Sequence, residues 1–182
     1  MGVAPHDIRI IGDPVLKQRA AEVTRVDGRL VKLVDDMFDT MYDAVGAGLA
    51  APQVGVQQRF FIYDWDDNPG VVVNPEIVES RGEASITEGC LSVPGLRWDI
   101  VRPAEILVKG YDLDGRELAI ELDDFGARVF QHELDHLDGV LLVEHLTPEQ
   151  RAEAKKALRE LRERGVTSLP EPDVAAGGLR LR

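Results

Sequence analysis

The first hydrophobic pattern along the chain begins after Asp27, where apolar residues recur every three or four positions. This spacing places side chains on one face of a helix, so it predicts an N-terminal helix that packs against the rest of the protein. Met37 and Met41 lie within the stripe, and we therefore expect them in the core. The full stripe comprises Leu30, Leu33, Val34, Met37, Phe38, Met41 and Tyr42.

The middle of the chain changes to short apolar runs and to alternating polar and apolar positions, which are the patterns of β-strands. Turn-forming residues at 66–70 and at 112–115 separate these runs. The second turn joins two alternating segments, and this arrangement predicts a β-hairpin. The predicted strands cover residues 59–63, 71–73, 77–78, 105–111 and 116–122.

Two further helices are predicted after the strands. Residues 125–138 carry apolar side chains at helical spacing, and Gly139 stands where a helix can end. The last helix opens at Thr147-Pro148, with a threonine cap, proline at the first helical position and Gln150 at the capping-box position. Strands followed by helices indicate the α+β fold class.

Two segments rich in glycine and proline interrupt these elements. Residues 46–55 are mostly small and include Gln53, so they form either a plain loop or a place where a ligand's backbone approaches closely. The segment lacks the Gly-Lys-Ser/Thr sequence of a phosphate loop. Residues 88–95 are expected to be irregular or edge-strand backbone, and they contain the single cysteine, Cys90.

The length of 182 residues fits one domain with a sizeable core. We assign residues 1–165 to a single domain. Residues 166–182 are rich in Pro, Gly and Ala and have few groups to bury, so they are predicted to be a mobile tail.

The charge balance narrows the classes of partner. A net charge of −12 opposes broad binding to phosphate backbones, so no DNA partner is expected. No apolar run of about 18 residues and no secretory leader is visible, so no membrane partner is expected. One cysteine cannot form an internal disulfide, which fits a reducing cytoplasm.

The candidate chemistry lies in the helix predicted at 125–138, which contains the sequence His-Glu-x-x-His. His132 and His136 would share one helix face and could bind one metal, with Glu133 beside it as a general base. The pattern also arises by chance, as two solvated histidines. The apolar residues on both sides of the motif indicate that the helix is buried, which argues against solvated histidines. Buried charged groups need partners, and a metal would supply one.

A metal site of this kind needs a third protein ligand. Leu142 stands where one metzincin-type pattern has its third histidine, which excludes that pattern. Cys90 is one candidate. His145 or His6 as a fourth ligand would instead give a closed structural site without catalysis. A glutamate on the last helix would make a gluzincin-like zinc endopeptidase, the candidates being Glu153, Glu160 and Glu163.

Three motifs occur together and in order, and they resemble the signature motifs of the peptide deformylases. They are Gly46-x-Gly48-Leu-Ala-Ala-Pro-Gln53, Glu88-Gly-Cys-Leu-Ser92 and Gln131-His-Glu-Leu-Asp-His136. The resemblance extends from about residue 8 to residue 164 of this chain. The resemblance implies an α+β fold with antiparallel strands around a central His-Glu-x-x-His helix, an N-terminal helix and an outer C-terminal helix. It also implies a metal-dependent hydrolase that removes the N-formyl group from the formylmethionine of newly synthesised polypeptides and releases formate.

The same resemblance implies the roles of the site residues. Fe(II) is the metal expected natively, and zinc, nickel or cobalt would also suit a thiolate with two imidazoles. Water is expected at the fourth position, with Glu133 as general base and then general acid. Gln53 and the Leu91 backbone N–H would stabilise the oxyanion. The implied metal ligands are Cys90, His132 and His136.

The substrate, an N-formylmethionyl nascent peptide, is expected to add as a strand beside Gly46 to Gly48 and near Gly89. Its methionine side chain would enter an apolar pocket. For Ile86 and Phe125 the alternative is core packing. The expected walls of the pocket are Ala47, Ile86, Phe125 and Val129.

Other residues are expected around that pocket. Arg97 would contact later substrate residues, and Glu88 would hold the site together with Arg102 unless it is a plain surface residue. Ala47 and Arg128 depart from the residues frequent in the family, which are a larger aliphatic and an apolar residue. We expect these two to alter the width and rim of the pocket without touching the catalytic set.

The last helix resembles the element by which some relatives dock near the ribosomal exit tunnel, so the ribosome is a second expected partner. Its basic residues favour this interpretation. Mixed charges at this spacing are also typical of a solvated helix face.

Overall fold

The structure is a computed structural model that describes residues 6–163 of the chain. The predicted tail at 166–182 lies outside the described residues. The α-helices are Gly28–Asp43 (α1), Asp124–Leu137 (α2) and Pro148–Glu163 (α3). The strands, β1 to β7 in chain order, are Gly48–Ala50, Phe60–Tyr63, Gly70–Arg81, Ala84–Cys90, Val93–Arg102, Glu105–Tyr111 and Glu117–Leu122.

The strands form two separate antiparallel sheets. The larger has the order β1-β2-β3-β6-β7, which leaves β1 at one edge. The smaller is the β4–β5 hairpin alone. The predicted hairpin at 105–122 is present as β6–β7, whereas the strand predicted at 77–78 is the second half of the long strand β3.

Helix α1 begins where the hydrophobic pattern predicts. The Asp27 side chain accepts hydrogen bonds from the backbone N–H groups of Arg29 and Leu30, which satisfies free donors of the first turn. The apolar stripe then packs on one face of the larger sheet. This core includes Leu30, Val34, Met37, Met41, Phe60, Ile62 and Val73.

Helix α2 packs on the opposite face of the same sheet. Successive side chains of a strand point to opposite faces, so Phe61 of β2 faces α2 while its neighbours Phe60 and Ile62 face α1. The second core contains Phe61, Val72, Val108, Ala127, Phe130, Leu134 and Leu137. The sheet therefore holds α2 as the central helix, as predicted.

The β4–β5 hairpin at Ala84–Arg102 is an element that the hydrophobic pattern did not predict. Gly89, Pro94 and Gly95 interrupt the pattern there, and most residues of β4 are exposed or half-buried. Of the two alternatives for residues 88–95, edge-strand backbone holds outside the turn, since Cys90 is the last residue of β4 and pairs with Val93 in a sheet of two strands.

Helix α3 starts with the predicted capping box. The Thr147 hydroxyl accepts from the Gln150 backbone N–H at 3.3 Å, and the Gln150 side chain accepts from the Thr147 N–H at 2.9 Å. Ala154 packs with Ile100 and Leu146, which places the start of α3 against the hairpin and outside the central core.

Candidate metal centre and active site

Three side chains that can bind a metal converge where β4 ends beside α2. The Cys90 Sγ atom lies 3.2 Å from His136 Nε2. One ligand atom from each of Cys90, His132 and His136 lies within 4.8 Å of the other two. Within residues 6–163, no second group of three such residues converges this closely. Sulfur and imidazole donors suit zinc, iron and related divalent metals, so the donor set fits a metal.

The two histidines reach this point because they are four residues apart on one helix. Their ring centroids are 5.0 Å apart, with the ring planes inclined at 74°. Cys90 comes from a different element, and the tight register at the end of the β4–β5 hairpin brings it to the helix. The structure therefore brings these three residues together, and their binding of a metal stays a prediction.

The electrostatics of the cluster favour a thiolate. Burial alone would raise the pKa of the Cys90 thiol, but the charges of the nearby His136 and His132 imidazoles lower it well below its usual value. A thiolate is the form of cysteine that binds metals.

Glu133 lies beside the three residues without joining them. It is 4 % exposed, and its Oε2 atom has no hydrogen-bond partner within the protein. Burial raises the pKa of Glu133 to about 7, although the two neighbouring imidazoles partly oppose the shift. A buried carboxylate with a free oxygen is positioned to exchange a proton with a bound molecule.

Gly48 contributes the space that Glu133 occupies. A Cβ atom on Gly48 would lie 2.5 Å from Glu133 Oε1 and 2.9 Å from its Cδ. The neighbouring Gly46 lies close to the turn after Cys90, since a Cβ there would be 2.9 Å from Leu91 Cδ1. The first glycine-rich segment thus lies against both other motifs.

Replacing Gly48 with alanine is expected to displace the Glu133 carboxylate and to lower kcat by about 10²-fold, the effect of a misplacement of roughly 1 Å. Metal content should stay near one per chain, because the three atoms that lie nearest to such a Cβ all belong to Glu133, which is not a proposed ligand. Gly28→Ala is the matched control, because a Cβ there meets nothing within 4 Å. An unchanged kcat in Gly48→Ala, measured by formate release, would contradict this prediction.

Glu88 lies behind His132 and not on the surface. Its Oε2 atom is 3.1 Å from His132 Nδ1, and both carboxylate oxygens receive hydrogen bonds from Arg102, at 2.7 and 3.0 Å. Burial opposes ionisation, but His132 and Arg102 lower the pKa of Glu88 to about 2. The expected contact with Arg102 is present, and the surface alternative is wrong because Glu88 is 5 % exposed.

Arg128 is a correction to the sequence analysis. It is 5 % exposed, and its Nη1 donates to Glu88 Oε1 at 2.6 Å. The other carboxylate oxygen of Glu88 contacts His132, so Glu88 lies between the two residues. The expectation that it lies on the pocket rim is wrong, because it is buried. As expected, it bonds to none of the proposed metal ligands or catalytic residues, and it reaches the site only through Glu88. The sequence placed this arginine in an apolar helix, which is a signal for a buried partner. It did not indicate which carboxylate that partner would be.

The Gln53 side chain makes two hydrogen bonds and keeps one N–H donor unused by them. Its Oε1 accepts from the Ala50 N–H at 2.8 Å and its Nε2 donates to Ser92 Oγ at 3.1 Å. Both Gln53 and Ser92 are buried. Since a primary amide has two N–H donors, one of them is not used by Ser92. Ser92 belongs to the second motif, yet sequence reasoning gave it no role.

The expected pocket residues divide by exposure. Val129 is buried, whereas Ala47 and Ile86 are half-buried. Phe125 is 49 % exposed, so its alternative interpretation as core packing is wrong. Arg97 is exposed and pairs across the hairpin with Gly89, so its side chain lies over that glycine.

The other candidate ligands lie elsewhere. His145 Nε2 pairs with Asp135 Oδ2 at 2.7 Å. His6 is half-buried and does not belong to the converging group. The three glutamates of α3, Glu153, Glu160 and Glu163, are all exposed. Among the described residues, no glutamate joins the two histidines as a third ligand, so the alternative of a gluzincin-like endopeptidase is not supported.

Comparison with known proteins decides the family. The sequence profile of the family described as Polypeptide deformylase matches residues 5–152, which is most of the chain. The chain belongs to the polypeptide deformylase family. The peptide deformylase of Thermotoga sp. (strain RQ2) is 46% identical over 157 residues, covering 86% of this chain and 96% of that protein. The peptide deformylase of Acidothermus cellulolyticus is 46% identical over 165 residues, covering 91% and 92%.

Solved structures of deformylases share the fold. The crystal structure of a peptide deformylase from Legionella pneumophila has a TM-score of 0.84 at 41% identity and covers 88% of this chain and 97% of that one. The peptide deformylase from Synechococcus elongatus, solved in complex with actinonin, has a TM-score of 0.82 at 39% identity and covers 88% and 87%. The α+β fold predicted from the sequence is confirmed.

Membership of the deformylase family also confirms the predicted reaction. These proteins are metal-dependent hydrolases that remove the formyl group from N-formylmethionyl nascent peptides.

In residues 6–163, no helix is both long enough and apolar enough to cross a membrane.

Proposed function

We propose that Cys90, His132 and His136 hold one divalent metal at which this chain removes the formyl group, with Glu133 as the proton carrier. The observation that carries the proposal is the convergence of three ligand atoms within 4.8 Å beside a buried carboxylate with an unpartnered oxygen. A structural metal site would need neither that carboxylate nor the buried amide of Gln53.

The donor set supports iron, zinc, nickel or cobalt, and we propose Fe(II) as the native metal. When bound, such a metal supplies a Lewis acid that activates water and polarises the formyl oxygen. Glu88 supports binding from behind, because its hydrogen bond with His132 Nδ1 leaves His132 Nε2 free to act as the ligand.

Glu133 performs the proton transfers in this proposal. Glu133 would be ionised beside a cation held by Cys90, His132 and His136, and its carboxylate would then accept a proton from the attacking water. The methionine nitrogen then receives that proton as its bond to the formyl carbon breaks. The same carboxyl group therefore acts first as base and then as acid. Gly48 keeps the path to its carboxylate clear, since a side chain there would overlap Glu133.

Gln53 and the Leu91 backbone N–H are proposed to stabilise the negative charge that develops on the formyl oxygen. Two contacts already hold the Gln53 amide, so its remaining donor needs little reorganisation during the reaction. Leu91 follows the proposed ligand Cys90 directly, in the turn between β4 and β5, and this adjacency supports the proposed role of its N–H.

The substrate backbone is proposed to add along the free edge of β1, at Gly46 to Gly48, and near Gly89. Edge strands bind extended peptides through main-chain hydrogen bonds. Ala47, Ile86, Phe125 and Val129 are the proposed walls of the methionine pocket, and Arg97 is proposed to contact the residues that follow. Deformylases from Synechococcus elongatus and Ehrlichia chaffeensis are solved in complex with actinonin, which makes actinonin a suitable probe of this site.

The experiment that tests the proposal is formate release from formyl-Met-Ala-Ser by protein prepared without oxygen, with metal content measured on the same sample. We expect activity in proportion to bound Fe(II) and loss of activity on chelation. Reconstitution with zinc, nickel and cobalt then ranks the metals, and exposure to air should inactivate the iron form. Metal-free protein that still releases formate would refute the proposal.

The proposal also includes a cytoplasmic location and a single domain over residues 1–165. Docking near the ribosomal exit tunnel through α3 is a further part. Arg151, Lys155, Lys156 and Arg159 border a groove on α3, and this basic surface supports contact with a polyanion. Salt-dependent co-sedimentation with ribosomes tests the docking.

A further inference from the structure

The proposed metal centre is divided between two elements that share no strand pairing. Cys90 and Leu91 belong to the β4–β5 hairpin, whereas His132, Glu133 and His136 belong to α2. The hairpin forms its own two-stranded sheet, separate from the five-stranded one. The distance between the thiol and the imidazoles therefore depends on how the hairpin docks on α2.

Two buried arginines connect the hairpin and the helix in opposite directions. Arg102 of β5 reaches across to Asp135 of α2, at 2.7 Å. Arg128 of α2 reaches back to the hairpin, where it donates to Glu88 Oε1 at 2.6 Å, to the Ile100 carbonyl at 3.1 Å and to the Ala84 carbonyl at 3.0 Å. These three acceptors span both strands of the hairpin.

Glu88 joins the two arginines to the proposed metal ligand. Its Oε1 receives donors from both Arg102 and Arg128, and its Oε2 lies against His132 Nδ1. The charges of Arg102 and Arg128 balance those of Glu88 and Asp135, all in a poorly solvated region. Removing one cation leaves a buried negative charge that only rearrangement can relieve.

We infer that Arg128 is a positioning residue, which clamps the β4–β5 hairpin to α2 and orients Glu88 so that Cys90 and His132 meet at one metal. The inference rests on the proposed metal site. Arg102 cannot replace Arg128, because its only bond to α2 is to Asp135, whereas Arg128 holds both strands of the hairpin and the oxygen of Glu88 that does not face His132.

The test uses the full chain and cobalt(II) as the probe. Arg128→Met keeps the length of the side chain and removes its charge and donors, and Arg128→Lys restores the charge with a less extensive set of donors. The matched control is Arg59→Met, because Arg59 is also buried but bonds to Asp138 and to the Leu137 and Pro75 carbonyls, not to Glu88. The readouts are the cobalt Kd by chelator competition, the thiolate-to-cobalt and d–d absorption bands, and Tm.

Arg128→Met is expected to raise the cobalt Kd by about 10–100-fold, the range for residues that orient metal ligands, and to shift the absorption bands. Arg128→Lys should recover part of both effects. Arg59→Met should lower Tm while leaving the Kd and bands at wild-type values. If Arg128→Met does not fold, Arg128→Gln takes its place as the uncharged variant.

An uncharged Arg128 variant with wild-type Kd and bands, whatever its Tm, would overturn the inference and leave the metal site intact. A change in Kd and bands of the same size in Arg59→Met would also overturn it, because a general loss of packing would then explain both variants. Wild-type protein that binds no cobalt would refute the metal site itself, and the role of Arg128 with it.

Discussion

Replacing Cys90 with alanine is expected to abolish metal binding and formate release together. The side chain supplies the one sulfur donor of the converging group, 3.2 Å from His136 Nε2, and the lowered pKa of its thiol favours the ligand form. Two imidazoles alone do not make a stable site for zinc or iron. The loss of metal affinity should exceed the roughly 10–100-fold typical of residues that only support a ligand.

The measurement is metal content after dialysis, together with formate release on the same sample. Glu153→Gln is the matched control, since Glu153 is exposed on α3 and would be the third ligand in a gluzincin-like site. It should keep both metal and activity. If Cys90→Ala retained one metal per chain while Glu153→Gln lost it, the proposed ligand set would be wrong.

Changing Glu133 to glutamine is expected to leave the metal bound and to lower kcat by about 10²–10⁴-fold, the contribution of a positioned acid–base group. Glutamine has nearly the same shape, so it fits the space beside Gly48. It cannot accept the proton of the attacking water, because its amide is not basic.

Metal content and cobalt absorption bands close to wild type would show that the proposed ligands are undisturbed in Glu133→Gln. Binding of actinonin to the same variant gives a second check that the site is intact. Formate release at the wild-type rate by this variant would eliminate Glu133 as the proton carrier. Equal losses of metal and activity would instead give Glu133 a structural role.

Local patterns in the sequence were sufficient to predict the three α-helices and much of the larger sheet. The stripe after Asp27 has the period of a helix, and the observed helix Gly28–Asp43 begins at the capped position. The alternating segments around 112–115 form β6–β7 as predicted. The β4–β5 hairpin was missed because glycine and proline break its alternation and few of its residues are buried.

The sequence by itself determined the pair of histidines and the glutamate between them, because a helix of any origin places residues four apart on one face. It also determined the family, since three motifs in one order resemble those of the deformylases and the profile match agrees. The resemblance implied Cys90 as the third ligand, but only the tertiary structure shows that its sulfur meets this pair, that Phe125 is exposed, and that Arg128 is buried against Glu88. These contacts join the β4–β5 hairpin to helix α2, and residues that are 40 or more positions apart in the chain have no local pattern to reveal their distance.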